Sequence, residues 1–190
     1  MDLVQKGLAS ELGSFDELTV NMTWSSAADF DLAAIYETKK GTPGLVYFGE
    51  KGNLEDFPFI QLSDDAGVND SAGDNQETLR ITNLDKIKTL WIACWDYGQV
   101  KKGEPARFNG SDVKLSCHDN TGKSYHFRLD TGDTGNIAII ATVDNSEPLG
   151  PKIINSSRIG TLQELKKLEQ LLDIVKAEDP DLSIELVIER

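Results

Sequence analysis

The chain has 190 residues, 39% of them hydrophobic, which is enough for one compact domain with a buried core. Its 32 acidic and 19 basic residues give a formal net charge of −13. This balance argues against binding nucleic acid through its phosphates, which requires clustered lysine and arginine, and a cation is the more natural partner.

The first residues and the two cysteines indicate the cellular compartment of the protein. The opening MDLVQKGLAS has an early aspartate and no apolar run, so it does not resemble a secretory signal. Nowhere does the sequence reach the roughly 18 consecutive apolar residues of a membrane span. Cys94 and Cys117 lie in strand-like runs without CxxC spacing, which favours reduced, buried thiols, although a disulfide between them stays open. We therefore expect a cytoplasmic protein.

Most of the chain is predicted to form short strands separated by turns rich in Gly, Asn and Asp. In the first strand, Leu18, Val20 and Met22 alternate with polar residues, as in a half-buried strand. The regular spacing of these runs is typical of a β-sandwich. The predicted strands are 16–22, 30–37, 44–49, 57–62, 77–84, 88–95, 112–117, 124–129 and 136–143.

One hairpin can be placed in register from its pattern alone. Pairing Cys117 with Tyr125 and Leu115 with Phe127 puts all four side chains on one buried face, and Val113 is then opposite Leu129. The loop is Asn120, Thr121 and Gly122, and Asp119 is opposite Lys123. His118 and His126 fall on the outer, polar face, so we expect both to be solvated.

The pattern changes at residue 161, where TLQELKKLEQLLDIVKAEDP predicts one amphipathic helix. Thr161 is the predicted N-cap, Glu164 completes a capping box, and Pro180 follows the end. We expect the apolar stripe to pack on the sandwich; docking to a partner is the alternative. The tail DLSIELVIER is predicted to add an edge strand. The stripe consists of Leu162, Leu165, Leu168, Leu172 and Val175.

The most unusual segment is LSDDAGVNDSAGDNQETLRI, at 62–81, in which five carboxylates precede the first basic residue. Close carboxylates repel one another by about 1 kcal/mol per pair at contact in water, so a partner has to offset that repulsion. Carboxylate, amide and carbonyl oxygens are the ligands of calcium, although the spacing is not that of an EF-hand. A second acidic pair, Asp29 and Asp31, opens the predicted strand 30–37, and alternation along that strand points both side chains to the same side. A solvated acidic turn is the simpler alternative.

These features together resemble the TerD, or tellurium resistance, family of calcium-binding stress proteins. The similarity rests on LVQKG, LTVNMTW, DFDLAAIY, VYFG and SDDAGVNDSAGDNQETLRI, and it spans about residues 3 to 160. NIAIIATV and PKIINSSRIG are where the family has its closing strands. The sequence departs from the family in reading SDDAG in place of SGDN, and in having Asn75 and Gln76 among the later acids.

The resemblance implies an all-β fold, a TerD-like antiparallel β-sandwich at 1–160, followed at 161–190 by the C-terminal helix and tail. It also implies a non-catalytic module that binds one or two calcium ions in bacterial resistance to tellurite or other chemical stress. Its partners would be a protein of a stress-response complex or the surface of a membrane. The expected metal ligands are Asp29, Asp31, Asp64, Asp65, Asn69, Asp74, Asn75 and Glu77.

Two other functions remain as alternatives. The first is a magnesium- or manganese-dependent hydrolase of a phosphorylated substrate, which would need a basic residue such as Arg80 or Arg107 beside the acids. The second is a metal-free interaction module that uses the C-terminal helix. No nucleophile motif, P-loop or zinc-ligand spacing occurs, and Cys117 and His118 are neighbours on a strand and face opposite sides, so we expect no enzyme.

Overall fold

The chain folds into two stacked β-sheets, and in strands such as residues 18–24 buried residues alternate with more exposed ones. The computed structural model describes residues 1–63, 75–106, 108 and 111–188. Strands are numbered in chain order across both sheets. The first sheet contains β1 (Asp2–Leu3), β3 (Leu18–Trp24), β6 (Gly52–Asn53), β7 (Ile60–Leu62), β8 (Asn75–Ile81), β10 (Lys114–Asp119) and β11 (Ser124–Arg128). The second contains β2 (Leu8–Glu11), β4 (Phe30–Thr38), β5 (Pro43–Val46), β9 (Ile87–Asp96), β12 (Ile137–Asp144), β13 (Lys152–Gly160) and β14 (Glu185–Leu186).

The sheet order explains why the prediction of an antiparallel sandwich is right for the interior and incomplete at the edges. The first sheet runs β1-β11-β10-β3-β8-β7-β6 and the second β14-β2-β13-β12-β9-β4-β5. Pairing is antiparallel except where β1 lies parallel to β11 and β14 parallel to β2, so both sheets are mixed. The first residues therefore join the two sheets, because β1 belongs to one and β2 to the other.

The core lies between the sheets and continues on the outer side of the second sheet. Leu18, Val20 and Met22 are buried between the sheets, as predicted from their alternation. Strand β4 is apolar on both faces because Leu32 contributes to this inner core and Ala33 to a second cluster on the outer face. Both cysteines are buried and free, and no disulfide joins them.

The β10–β11 hairpin has the predicted register. Cys117 pairs with Tyr125 and Leu115 with Phe127, and all four side chains are buried. The N–H of Asp119 donates to the carbonyl of Lys123 at 3.0 Å. Gly122 has a φ of +95°, the left-handed conformation that the turn requires.

The C-terminal helix begins later than predicted. α2 spans Leu168–Lys176, so Thr161 is not its N-cap and Glu164 does not complete a capping box. Glu164 has a φ of +58°, and the N–H of Leu162 is held by Asn136 Oδ1 at 2.7 Å, which keeps the intervening segment irregular. The predicted apolar stripe packs on the outer face of the second sheet, with Leu162 and Val175 buried and Leu165, Leu168 and Leu172 partly buried. Leu171, which the predicted stripe did not include, is fully buried there.

Two further elements complete the chain. A short helix that the sequence analysis missed, α1 (Tyr97–Lys102), follows β9 directly and ends at Gly103, whose φ is +68°. The predicted edge strand of the tail is present as β14, where the N–H of Glu185 donates to the carbonyl of Gly7 at 2.9 Å. Neither helix, nor any other within the described ranges, is long and apolar enough to cross a membrane.

Candidate functional site

Four strand ends meet at one end of the sandwich, which we call the acidic end. In the first sheet, Trp24 at the end of β3 pairs with Asn75 at the start of β8. In the second, Phe30 at the start of β4 pairs with Asp96 at the end of β9. The short connection from β3 to β4 joins these two corners. The predicted ligands Asp29, Asp31, Asn75 and Glu77 therefore lie at the acidic end, whereas Asp64, Asp65, Asn69 and Asp74 lie outside the described residues.

Glu77 joins the two sheets at the acidic end. Its side chain points into the interior from β8, and the residue is only 8% exposed. The backbone N–H of Leu32, on β4 of the opposite sheet, donates to Glu77 Oε2 at 2.5 Å. Strand β5 pairs with β4 only from Ala34 onward, so it does not cover this part of the β4 edge. A buried carboxylate thus replaces the missing strand as hydrogen-bond acceptor.

Asp96 is a functional candidate that the sequence analysis missed. It is buried at the end of β9, and its Oδ1 accepts from the N–H of Gln99 at 3.1 Å, so it is the N-cap of α1. The signal was present in the sequence as an aspartate that directly follows an apolar strand. The strand was predicted to end one residue earlier, at Trp95, and the helix after it is too short to show a period.

The thiol of Cys94 shows that three carboxylates act on the same buried region. Burial raises the pKa of this thiol, and the negative charges of Glu77, Asp31 and Asp96 raise it further. Glu77 comes from β8 of the first sheet, whereas Asp31 and Asp96 come from β4 and β9 of the second. Together they make the acidic end strongly negative, which is the electrostatic setting that a cation would relieve.

The acidic pair of the β4 strand is not on the same side of the sheet as Glu77. Alternation along β4 places Asp31 with Ala33 and Ile35, which pack in the outer cluster, whereas Glu77 lies between the sheets. Asp29 is exposed before the strand, and its carbonyl accepts from the N–H of Tyr97 at 3.1 Å. The predicted ligands therefore share one end of the sandwich but approach it from two layers.

The β3–β4 connection adds oxygen atoms at the acidic end. Ser25 donates to Asp112 through its N–H at 2.9 Å and through its hydroxyl at 2.5 Å, and these hydrogen bonds lower the pKa of Asp112. Asn75 Nδ2 donates to the carbonyl of Ser26 at 3.5 Å. The hydroxyl of Ser26 is buried and has no hydrogen-bond partner within the part of the chain that the structure describes. Ser26 and Asp112 were also missed, because neither stands in an acidic run.

The described side chains do not form a metal site by themselves. Across residues 1–63, 75–106, 108 and 111–188, no group of three or more His, Cys, Asp or Glu side chains is arranged to hold a metal ion. Such a site would have to draw on residues 64–74 as well. The two histidines lie on β10 and β11, where His118 contacts the hydroxyls of Ser116 and Ser124 and its ring lies 6.1 Å from the ring of His126.

Arg80, one of the two basic residues that the hydrolase alternative could use, is not beside these acids. Arg80 lies on the exposed face of β8, opposite to the face that carries Glu77. Its guanidinium donates to both carboxylate oxygens of Glu17, at 3.0 and 2.5 Å, and this pairing lowers the pKa of Glu17. Arg107 lies outside the described residues.

Comparisons with known proteins agree on the architecture. No family model matches the sequence, and no curated protein matches it significantly. Among solved structures, the chain is similar to a homologue of telluride resistance protein (TerD) from Streptomyces coelicolor A3(2), with 12% identity and a TM-score of 0.55. That alignment covers 78% of this chain and 92% of the other. The chain is also similar to SAV2460, a protein of unknown function, with 13% identity, a TM-score of 0.53, and coverage of 78% and 94%.

At these identities the likeness establishes the fold. This chain shares its overall fold with the TerD homologue, as the sequence resemblance predicted. This protein therefore has a TerD-like β-sandwich fold.

Proposed function

We propose that the protein is a calcium-binding, non-catalytic module that acts in the cytoplasm in resistance to tellurite or other chemical stress. The observation that carries this proposal is the presence of Glu77, Asp31 and Asp96 at one end of the sandwich, where the negative charges of all three act on Cys94. Strand β8, which begins at Asn75, directly follows the acidic segment 64–74. The TerD-like fold is a second support, because one protein that shares it is described as a homologue of a telluride resistance protein.

The chemistry of the donor set fits calcium. Calcium takes six to eight oxygen ligands from carboxylates, amides, carbonyls, hydroxyls and water, and it tolerates irregular geometry. The buried hydroxyl of Ser26, which has no hydrogen-bond partner among the described residues, is one oxygen that an ion would satisfy. A bound calcium ion would supply positive charge that offsets the repulsion among the carboxylates. The residues that would hold one or two ions are Asp29, Asp31, Asp64, Asp65, Asn69, Asp74, Asn75, Glu77 and Asp96, together with Ser26.

Calcium would alter the surface that a partner meets. Two ions would change the formal net charge from −13 to −9, because each adds two positive charges, and the change would be confined to the acidic end. A partner protein of a stress-response complex, or the anionic surface of a membrane, would then complete the ligand shell of the ion. The interaction with the partner would consequently depend on calcium.

The two alternatives receive less support from the same residues. A phosphate-hydrolysing metal enzyme needs a cation beside the metal, and Arg80 is paired with Glu17 on the opposite face of β8. A metal-free module that docks through α2 would need the apolar side of the helix, but Leu171 and Val175 already pack on the second sheet.

Calorimetric titration of calcium into chelator-treated protein tests the proposal. We expect saturable binding of calcium, with a weaker response to magnesium, because magnesium demands a stricter octahedral shell. The variants Asp31→Asn, Glu77→Gln and Asp65→Ala/Asp74→Ala each remove ligand charge with little change in volume at the first two positions. Each should weaken binding by about tenfold or more.

Asp85→Asn is the matched control, because Asp85 lies in an exposed turn between β8 and β9 and is not among the ligands named. It should bind calcium as the parent protein does. The proposal would be contradicted if the parent protein bound no calcium and if added calcium left its melting temperature unchanged. Equal loss of binding in Asp85→Asn would attribute the effect to net charge and would contradict the assignment of the site.

A further inference from the structure

A groove with aromatic walls lies on the outer side of the second sheet, next to the acidic end, and none of its lining residues is a proposed calcium ligand. It has a volume of about 520 Å³, within the range of small-molecule sites. Strand β9 with α1, the β5 segment, and the irregular segment before α2 form its three sides. The lining residues are Leu45, Tyr47, Phe48, Trp95, Tyr97, Val100, Lys101, Glu164, Leu165, Lys166, Lys167 and Leu168.

Four aromatic rings are in contact with one another in this groove. Tyr47 contacts Phe48 with ring centroids 5.0 Å apart, and Phe48 contacts Tyr97 at 5.6 Å in an edge-to-face arrangement. Tyr47 also approaches Trp95, at 6.4 Å. Trp95 is 1% exposed, but Phe48 and Tyr97 are each 45% exposed. Because Phe48 and Tyr97 are in contact, they form a contiguous exposed apolar patch, which marks an interaction site better than a single exposed ring does.

The charge of the groove is opposite to that of the protein. Three lysines line it against one glutamate, Glu164, whereas the chain as a whole carries −13. Lys166 pairs with Glu164 at 2.5 Å. Lys101 and Lys167 form no ion pair with any residue in the described ranges, so their ammonium groups are available to an anion.

The rim that carries the lysines is held in place by hydrogen bonds. The N–H of Glu164 donates to the carbonyl of Val100 at 3.1 Å, which ties the segment before α2 to helix α1. Gln170 Oε1 accepts from the N–H groups of Lys166 and Lys167, each at 2.9 Å. The groove is therefore formed before any ligand arrives, which lowers the conformational cost of binding.

We propose that this groove binds a small, flat aromatic molecule that carries a negative charge. The aromatic rings would stack on or against the edge of the ligand ring, and Lys101 and Lys167 would pair with its anionic group. The size of the groove favours a small molecule over a protein segment. None of the lining residues is a proposed calcium ligand, although Asp31 pairs with Trp95 and Asp96 lies between Trp95 and Tyr97. The two proposals are therefore tested with different probes and different variants.

Titration with three probes tests the proposal: 2-naphthoate, the neutral 2-naphthalenemethanol, and cyclohexanecarboxylate, which is charged but not aromatic. Saturation-transfer NMR and calorimetry would measure binding to the full chain. We expect 2-naphthoate to saturate below about 1 mM and the other two probes to bind more weakly. Equal binding of the neutral and charged aromatic probes, or no binding of 2-naphthoate, would overturn the assignment.

Variants locate the site. Lys101→Gln/Lys167→Gln should weaken 2-naphthoate by about fivefold and leave the neutral probe unchanged. Lys102→Gln is the matched control, since Lys102 lies on α1 beside Lys101 but does not line the groove. Phe48→Ala should weaken both aromatic probes, and Phe48 is exposed enough for the variant to fold. Binding that survives all of these changes would place the probe elsewhere and refute the proposal.

A last arm separates a small ligand from a protein partner. An acidic peptide that contains phenylalanine offers the same ring and charge within a chain. Affinity for this peptide more than tenfold above that for 2-naphthoate, with the same dependence on Lys101 and Lys167, would overturn the small-ligand assignment. Weaker or equal affinity for the peptide would support it.

Discussion

Replacing Glu77 by alanine should destabilise the protein even when no metal is bound. The change removes the carboxylate oxygen that accepts from the N–H of Leu32 at 2.5 Å, and it leaves that N–H buried between the sheets. An unsatisfied buried donor costs about 1–3 kcal/mol. For a chain of this size, about 2 kcal/mol corresponds to a melting temperature about 4–8 °C lower.

Glu77→Gln separates the hydrogen bond from the charge. Glutamine keeps an acceptor oxygen at the same distance from the backbone, while alanine does not. Both variants remove the repulsion between Glu77 and the charges of Asp31 and Asp96, so that contribution cancels when the two are compared. We therefore expect Glu77→Gln to retain most of the stability that Glu77→Ala loses.

Thermal and urea unfolding, followed by circular dichroism in the presence of a chelator, would measure this difference. Gln76→Ala is the control, because Gln76 is exposed on the same strand, and its effect should stay within about 0.5 kcal/mol. Equal stability of the alanine and glutamine variants would refute the conclusion that Glu77 supports the fold as a hydrogen-bond acceptor.

Three other predictions follow from buried groups. Burial raises the pKa of both Cys94 and Cys117, so neither thiol should react with a thiol reagent in the native state, and both should react in denaturant; rapid native reaction would contradict this. Leu171→Ala should lower the free energy of unfolding by about 2–5 kcal/mol, because it leaves a cavity under α2. Glu169→Ala, at an exposed position of the same helix, should change it little. Equal effects of the two variants in urea unfolding would contradict the packing of α2. Burial of the Asp119 carboxyl opposes its ionisation, but hydrogen bonds from Thr121 and Lys123 prevail and lower its pKa. The stabilising effect of Asp119 should thus be fully present at neutral pH and should decline once the pH falls below about 3.9, the ordinary value for aspartate in an unfolded chain. The difference in unfolding free energy between the parent and Asp119→Asn should therefore narrow as the pH falls below that value. A difference that widens there would contradict the sign.

Period-two patterns predicted the strands because both partners of a pair obey the same geometry. In the β10–β11 hairpin, one choice of register buries Leu115, Cys117, Tyr125 and Phe127 together, so the sequence leaves no competing arrangement. Local patterns failed to predict where α2 begins, because the capping-box pattern at Thr161 lies upstream of the helix, which begins at Leu168. There the segment is set by contacts from distant residues, such as Asn136 to Leu162, which a local pattern does not reveal.

The acidic end was predicted in part for a similar reason. Asp29, Asp31, Asn75 and Glu77 stand in or beside dense acidic runs, and the strand order brings them to one end of the sandwich. Asp96 is a single acid after an apolar strand, and only the pairing of β4 with β9 puts it opposite Phe30. The hydrogen bond between Glu77 and Leu32 crosses from one sheet to the other, so it is visible only once both sheets are stacked.

The N-terminal segment has a consequence for the order in which the protein assembles during synthesis. Leu3 pairs with Phe127, and Ala9 pairs with Ile154, so the residues that join the two sheets find their partners more than 120 positions later. A ribosome exposes the N-terminal segment long before either partner strand has left the exit tunnel. The central pairs β3–β8 and β4–β9 join residues that are closer in the chain, such as Leu18 with Ile81 and Phe30 with Asp96. We therefore expect the middle of each sheet to form first, and the segment with β1 and β2 to close the sandwich only after β11 and β13 have left the ribosome.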